Sequence, residues 1–186
     1  MKKIVSVLLL FTFGLSSCEK DDICDPNTPT TPRLVIEFYD ANNQSVLKPV
    51  TNLKVIGEGM SQGIIFNENA ATDEAKQLTN ASKISIPLKT DADSTTYTFI
   101  LDSGNENAAA VNTDQVTFFY SRQNLYVSRA CGFKTIFKLN PLSDGPPISA
   151  PFIKQDVDSK GFWMTQIYVD DYNIELENEA HIKIYF

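Results

Sequence analysis

The chain has 186 residues, enough for one sizeable domain, with 16 Lys and Arg against 23 Asp and Glu and a net charge of −7. That acidity excludes a nucleic-acid binder, which needs a basic footprint to neutralise phosphates. A hydrophobic share of 42% with only 8 Gly and 9 Pro excludes disordered and collagen-like chains, and one His with 3 Cys leaves little for a His-based active site or a metal site.

Residues 1–17 read as an export signal. Lys2 and Lys3 give it a positive start, Ile4 to Phe13 is apolar apart from Ser6 and Thr12, and small residues follow at Gly14, Ser16 and Ser17. The run falls short of the roughly 20 apolar residues that a spanning helix needs. Its end, Leu15-Ser16-Ser17-Cys18, resembles the lipobox of bacterial lipoproteins. There the Cys thiol is alkylated by a diacylglycerol, the chain is cut before it, and the new amine is acylated. The expectation is a mature chain that begins at lipidated Cys18; a plain secretory signal with an incidental Cys18 is the alternative. Two or three acyl chains, at about 0.8 kcal/mol per buried methylene, anchor stably. Cleavage removes Lys2 and Lys3 and leaves the body more acidic still, so the acyl chains and not the protein surface are expected to hold the membrane.

Glu19-Lys20-Asp21-Asp22 resembles the Lys-acid-acid signal that sends Bacteroidetes-type lipoproteins to the outer face of the outer membrane. Read as a solvated spacer, it leaves the periplasmic face open. The expected localisation is the outer membrane, lipid-anchored, on the cell surface or the periplasmic face. Residues 18–32 then form a lipidated linker, stiffened by Pro26, Pro29 and Pro32. Within the exported chain Cys24 and Cys131 make an even pair and suggest a disulfide; two buried free thiols are the alternative. The bridge would close a loop of about a hundred residues, worth about 4.7 kcal/mol in the chain-entropy model.

From Arg33 onward the recurring signal is alternation with a period of two. Leu34, Ile36 and Phe38 alternate with Arg33, Val35 and Glu37. Leu53 and Val55 open a second strand closed by Gly57-Glu58-Gly59, and Gly63-Ile64-Ile65-Phe66 is a short apolar run. Thr72 to Thr79 has room for a helical turn or two, capped by Thr72 or Asp73. Ile84, Ile86 and Leu88 define a strand that Pro87 places at an edge, because Pro cannot donate to a ladder. Tyr97, Phe99 and Leu101 follow, then Val116, Phe118 and Tyr120, with Asn105 to Asp114 as the solvated hairpin end between them. Ser121-Arg122-Gln123-Asn124 reads as a turn.

One phase then persists through Leu125, Val127, Cys131, Phe133, Thr135, Phe137 and Leu139, with Arg129 interrupting. That is either one long bent strand or two strands that meet at Cys131-Gly132. Asn140 to Gly161, with four prolines, has little period and reads as a long loop. Alternation resumes at Trp163, Thr165, Ile167 and Val169, breaks at Asp170-Asp171, and continues at Ile174 and Leu176. Ile182, Ile184 and Phe186 form the last strand, with His181, Lys183 and Tyr185 on its other face. About ten strands, each with one apolar face, and little helix predict an all-β protein. The expected architecture is a single antiparallel β-sandwich over 33–186, immunoglobulin-like or related.

The chemistry-bearing residues point away from catalysis. His181, the one histidine, sits in a strand and reads as structural, and with Cys24 and Cys131 it lacks metal-ligand spacing. No metal and no cofactor are expected. Asp170-Asp171 and Glu175/Glu177 read as turn and surface charges. Asp156-Val157-Asp158-Ser159-Lys160-Gly161 begins like a calcium loop, but an EF-hand needs an oxygen at its fifth position and Glu at its twelfth, where Lys160 and Ile167 stand. Asp93-Ser94-Thr95 matches a short O-glycosylation pattern, with Ser94 as the acceptor; the same residues suit a turn. Trp163, after the long loop, reads as core. An outer-membrane barrel would use the 12 Phe, the 7 Tyr and a strand ending in Phe186, but its strands need about 9–11 residues and most here offer fewer.

Three segments carry a resemblance: Cys24 to Asp40 (CDPNTPTTPRLVIEFYD), Val127 to Lys134 (VSRACGFK) and Asn173 to Phe186 (NIELENEAHIKIYF). They resemble an uncharacterised family, a domain-of-unknown-function family of Bacteroidetes-type lipoproteins, over essentially the whole mature chain. The resemblance implies export and lipidation, gives no catalytic residues, and implies an outer-membrane barrel as a partner. The expected function is a non-enzymatic, lipid-anchored binding or accessory component of a cell-envelope complex, working through the 140–161 loop or an exposed edge strand. A glycan- or small-molecule-binding lipoprotein is the second expectation and calls for a concave apolar cleft. An enzyme with two facing carboxylates in a pocket is the third.

Overall fold

The computed structural model describes residues 23–26, 28, 30–142 and 149–186. Residues 1–22, on which the expected export signal, lipidated Cys18 and the charged run fall, lie outside the described residues, as do Asn27, Pro29 and positions 143–148 of the long loop.

The described residues form twelve strands. They are β1 (Leu34–Asp40), β2 (Asn43–Leu47), β3 (Leu53–Gly57), β4 (Leu78–Thr79), β5 (Lys83–Ile86) and β6 (Ser94–Leu101), then β7 (Asn112–Ser128), β8 (Gly132–Leu139), β9 (Phe152–Asp156), β10 (Gln166–Val169), β11 (Asn173–Ile174) and β12 (Ile182–Tyr185). One helical turn, Asp73–Lys76, starts where Thr72 Oγ1 accepts from the Ala75 amide at 3.2 Å.

The strands make two sheets. One runs β10-β12-β1-β2, with β5 also on β1; the other runs β11-β8-β7-β6-β3-β4, with β9 also on β7. Period-two alternation gives each sheet one apolar face, and the two faces meet in a single core. Leu34, Ile36, Phe38, Ile182 and Ile184 come from the first sheet; Val55, Phe99, Val116, Phe118, Phe137 and Leu139 come from the second. Trp163 closes one end, its ring centroid 5.6 Å from that of Phe186 and 6.3 Å from that of Phe38. The architecture is a β-sandwich of two open sheets, not a closed barrel.

Several elements differ from the sequence reading. Ser121 to Asn124 is not a turn: β7 runs straight through it, paired with Lys138 to Thr135 of β8. These residues are polar because both faces of the strand are wet there, past the last core residue, Tyr120. Of the two readings of the long phase the second holds: two strands meet at a turn at residues 129–131, where Gly132 takes φ +71° and β8 begins. The 140–161 loop contains β9, which adds to the edge of β7 opposite β6. β2, with every residue exposed, had no alternation to betray it. Gly63 makes an isolated bridge to Ile56, and the run after it forms no strand. β5 pairs with β1 alone and stops before Pro87, an edge strand as expected. Among the described residues one pairing is parallel, β1 with β12, where antiparallel pairing was expected throughout. Parallel neighbours need a long crossover, and here the rest of the domain supplies it.

Candidate functional site

The N-terminal segment does not hang free. Cys24 and Cys131 are joined by a disulfide with the Cα atoms 4.8 Å apart. Thr31 Oγ1 accepts from the Thr135 amide at 3.0 Å. Arg33 then grips Glu177 with Nη2 to Oε2 at 2.7 Å and Nε to Oε1 at 3.0 Å. This fork holds the Glu177 carboxyl below the usual carboxylate range. Cys24 is therefore fixed at the tip of the β7–β8 hairpin and Thr31 against β8.

That tip carries an aromatic pair. Tyr126 and Phe133 face each other across the two strands, ring centroids 5.4 Å apart, and are 63% and 68% exposed. Neither touches the core. Sequence reading missed the pair because it carried one phase from Leu125 and Val127 through Cys131-Gly132 to Phe133, which put Tyr126 on the other face. A turn at 129–131 would have set them opposite.

His181 lies under a shallow, acid-rimmed hollow of about 290 Å³ that Asp171, Glu175 and Glu179 line. Its side chain is structural, as expected: Nδ1 accepts from the Val35 amide at 2.9 Å while the His181 amide donates to the Val35 carbonyl at 3.0 Å. Burial lowers its pKa, against the pull of Asp171, Glu177 and the Leu176 carbonyl, and Lys83 lowers it further. The unfolded chain therefore binds a proton near the ordinary His value, about 6.5, when the folded chain does not. Stability is expected to fall as pH drops below about 6.5. His181→Ala should remove that slope and cost about 1–3 kcal/mol at neutral pH, because the Val35 amide loses its acceptor. Urea titrations of both proteins across that range check it, and an unchanged slope in the variant refutes it.

The calcium-like loop is a backbone clasp. Asp156 accepts from the amides of Asp158, Ser159 and Gly161 at 3.2, 2.8 and 2.9 Å, which holds its carboxyl below the usual range. Asp158 Oδ2 takes the Thr113 amide at 2.9 Å, and the Lys160 ammonium donates to the Ala108 carbonyl at 2.7 Å. Among the described residues no group of His, Cys, Asp and Glu is arranged to hold a metal ion. Asp114 belongs to β7 and not to a solvated hairpin end. It is fully buried, its Oδ2 accepts from the Met164 amide at 3.0 Å, and burial pushes its pKa up against the amide bond and Lys154.

Ser94 is the first residue of β6, half-buried, between exposed Asp93 and buried Thr95. Asp93 is held by Arg122 Nε at 2.8 Å, and Thr95 Oγ1 lies 2.6 Å from Tyr120 Oη. Trp163 is core, with Nε1 3.4 Å from the Phe99 carbonyl. An apolar hollow of about 290 Å³ opens between Met60, Ile64, Pro87 and Tyr97. Burial pushes the Tyr97 phenol far up, so it serves only as a donor, to the Pro87 carbonyl. At the other end of the fold, among the described residues, β2 pairs only with β1 and offers an open edge. The structure thus does not gather the sequence candidates into one site: Cys24 and Cys131 meet at the hairpin tip, Ser94 starts another strand, and Cys18 lies outside the described residues.

Residues 52–186 match the model of a family of unknown function, DUF6452. No curated protein and no solved structure matches the chain.

Proposed function

The chain belongs to the DUF6452 family of unknown function, and from that footing we propose that it is a lipoprotein of the outer membrane of Bacteroidetes-type bacteria. Cys18 carries the lipid, the sandwich stands outside the cytoplasm, and the protein acts by binding, not catalysis, as an accessory component of a cell-envelope complex. The observation that carries this reading is Leu15-Ser16-Ser17-Cys18 at the end of a short apolar run. The Cys24–Cys131 disulfide supports it, because such bridges persist in oxidising compartments outside the cytoplasm. The open edge of β2 favours a partner that adds a strand, and an outer-membrane barrel is the partner we propose. Ser94 is the proposed site of O-glycosylation.

The second reading is a binder of a glycan or small molecule. The apolar hollow beside Tyr97 favours it, at the lower end of the size range for ligand pockets, about 300–1,000 Å³.

One experiment separates these readings. Tagged protein is captured from membranes solubilised in several mild detergents, beside a Cys18→Ala variant. The wild type is expected in the membrane fraction together with an envelope protein in fixed ratio, and the variant outside that fraction. Recovery of the wild type alone in every detergent counts against the complex, and a membrane-bound variant counts against the anchor.

A further inference from the structure

We propose that the tip of the β7–β8 hairpin rests in the headgroup layer of the membrane, with Tyr126 and Phe133 as its lipid contacts. The proposal builds on lipidation at Cys18 and adds how the body is held against the bilayer.

The first argument is reach. Only six residue steps separate Cys18 from Cys24, and at no more than about 3.6 Å each they span about 22 Å. A chain held no earlier than Thr31 or Arg33 would let the body stand off by about twice that distance. The disulfide instead ties Cys24 to Cys131, two residues from Phe133 on the same hairpin. Any bilayer that holds Cys18 is therefore within reach of this tip.

The second argument is chemistry. Tyr126 and Phe133 are exposed aromatic side chains on a hairpin end that contributes nothing to the core. Ile23, 83% exposed, immediately precedes the disulfide on the side toward Cys18. Aromatic rings prefer the headgroup level, where a Tyr keeps its hydroxyl wet. The cross-strand pairing of the two rings keeps the tip rigid, so the contact orients the sandwich as well as touching the membrane.

The test uses the full chain, purified from membranes and reconstituted in phosphatidylethanolamine–phosphatidylglycerol vesicles, with or without bromine on the acyl chains near the headgroups. Phe133→Trp and, separately, Tyr126→Trp report the tip, and Val46→Trp on β2 reports the other sheet. Trp163, in the core, gives the constant background. Brominated lipid is expected to quench the added emission at both tip positions at least twofold and to leave Val46→Trp unchanged. Flotation with the vesicles and no quenching at either tip position overturns the proposal and leaves the anchor standing. Failure to float, with residues 1–17 retained, removes both. Tip reporters that are water-exposed in vesicles yet shielded in native envelopes assign the patch to a protein partner and overturn the lipid contact.

Discussion

Deleting Ile182–Phe186 is expected to abolish folding, not to shorten a tail. β12 lies between β10 and β1, so its loss strips hydrogen bonds from both neighbours and splits the first sheet. Ile182 and Ile184 are fully buried, each worth about 1.5–3 kcal/mol. Phe186 closes the core end in edge-to-face contact with Phe38 and Trp163, and Lys48 lies over its ring at 4.2 Å while donating to its carbonyl at 2.8 Å. The amides of Ala41 and Thr165 lose their acceptors on Phe186 and Tyr185. Together these losses are comparable with the roughly 5–15 kcal/mol that holds a typical domain. Circular dichroism and thermal melting of the truncated chain should show no cooperative transition. A sharp melt within ten degrees or so of the full-length protein contradicts a structural role for β12, since such a shift is only about 2.5–5 kcal/mol for a domain of this size.

Breaking the Cys24–Cys131 bridge should have the next largest effect. It closes a separation of 107 residues, and a loop of that size is worth about 4.7 kcal/mol in the chain-entropy model, with about 2–5 kcal/mol usual when a native bridge is lost. The Cys24→Ser/Cys131→Ser variant is expected to unfold at distinctly lower denaturant with the same native sheets. Its N-terminal segment, with the disulfide gone ahead of the Thr31 bond and the Arg33–Glu177 fork, should be cut by protease before the sandwich is. Equal midpoints for variant and oxidised wild type contradict the bridge.

The sandwich was legible because alternation is a direct imprint of a half-buried strand. Ile36, Phe38, Phe99, Phe118 and Ile184 each fell in phase and each lies in the core. What the pattern could not carry was backbone pairing without burial. β2 is exposed at every residue, and the overhanging half of β7 is polar on both faces, so Ser121 to Asn124 looked like a turn although its amides and carbonyls pair with β8. A single phase carried from Leu125 to Phe133 hid the Tyr126–Phe133 pair, which the reading of two strands meeting at Cys131-Gly132 allowed. β9 was masked by the prolines on its N-terminal side. Asp114 shows the opposite limit: a carboxylate reads as surface in a sequence, and only the fold reveals the Met164 amide that receives it. The Cys24–Cys131 pairing was one of two readings that count and compartment allowed, and the choice between them needed coordinates.

The most direct test of lipid anchoring is the mass of the native N-terminal peptide, taken without reduction from protein extracted from membranes. A peptide that begins at Cys18, carries a diacylglycerol and an acylated amine, and is linked through Cys24 to the peptide containing Cys131 is the expected result. A chain that retains residues 1–17, or a Cys18 without lipid, contradicts it.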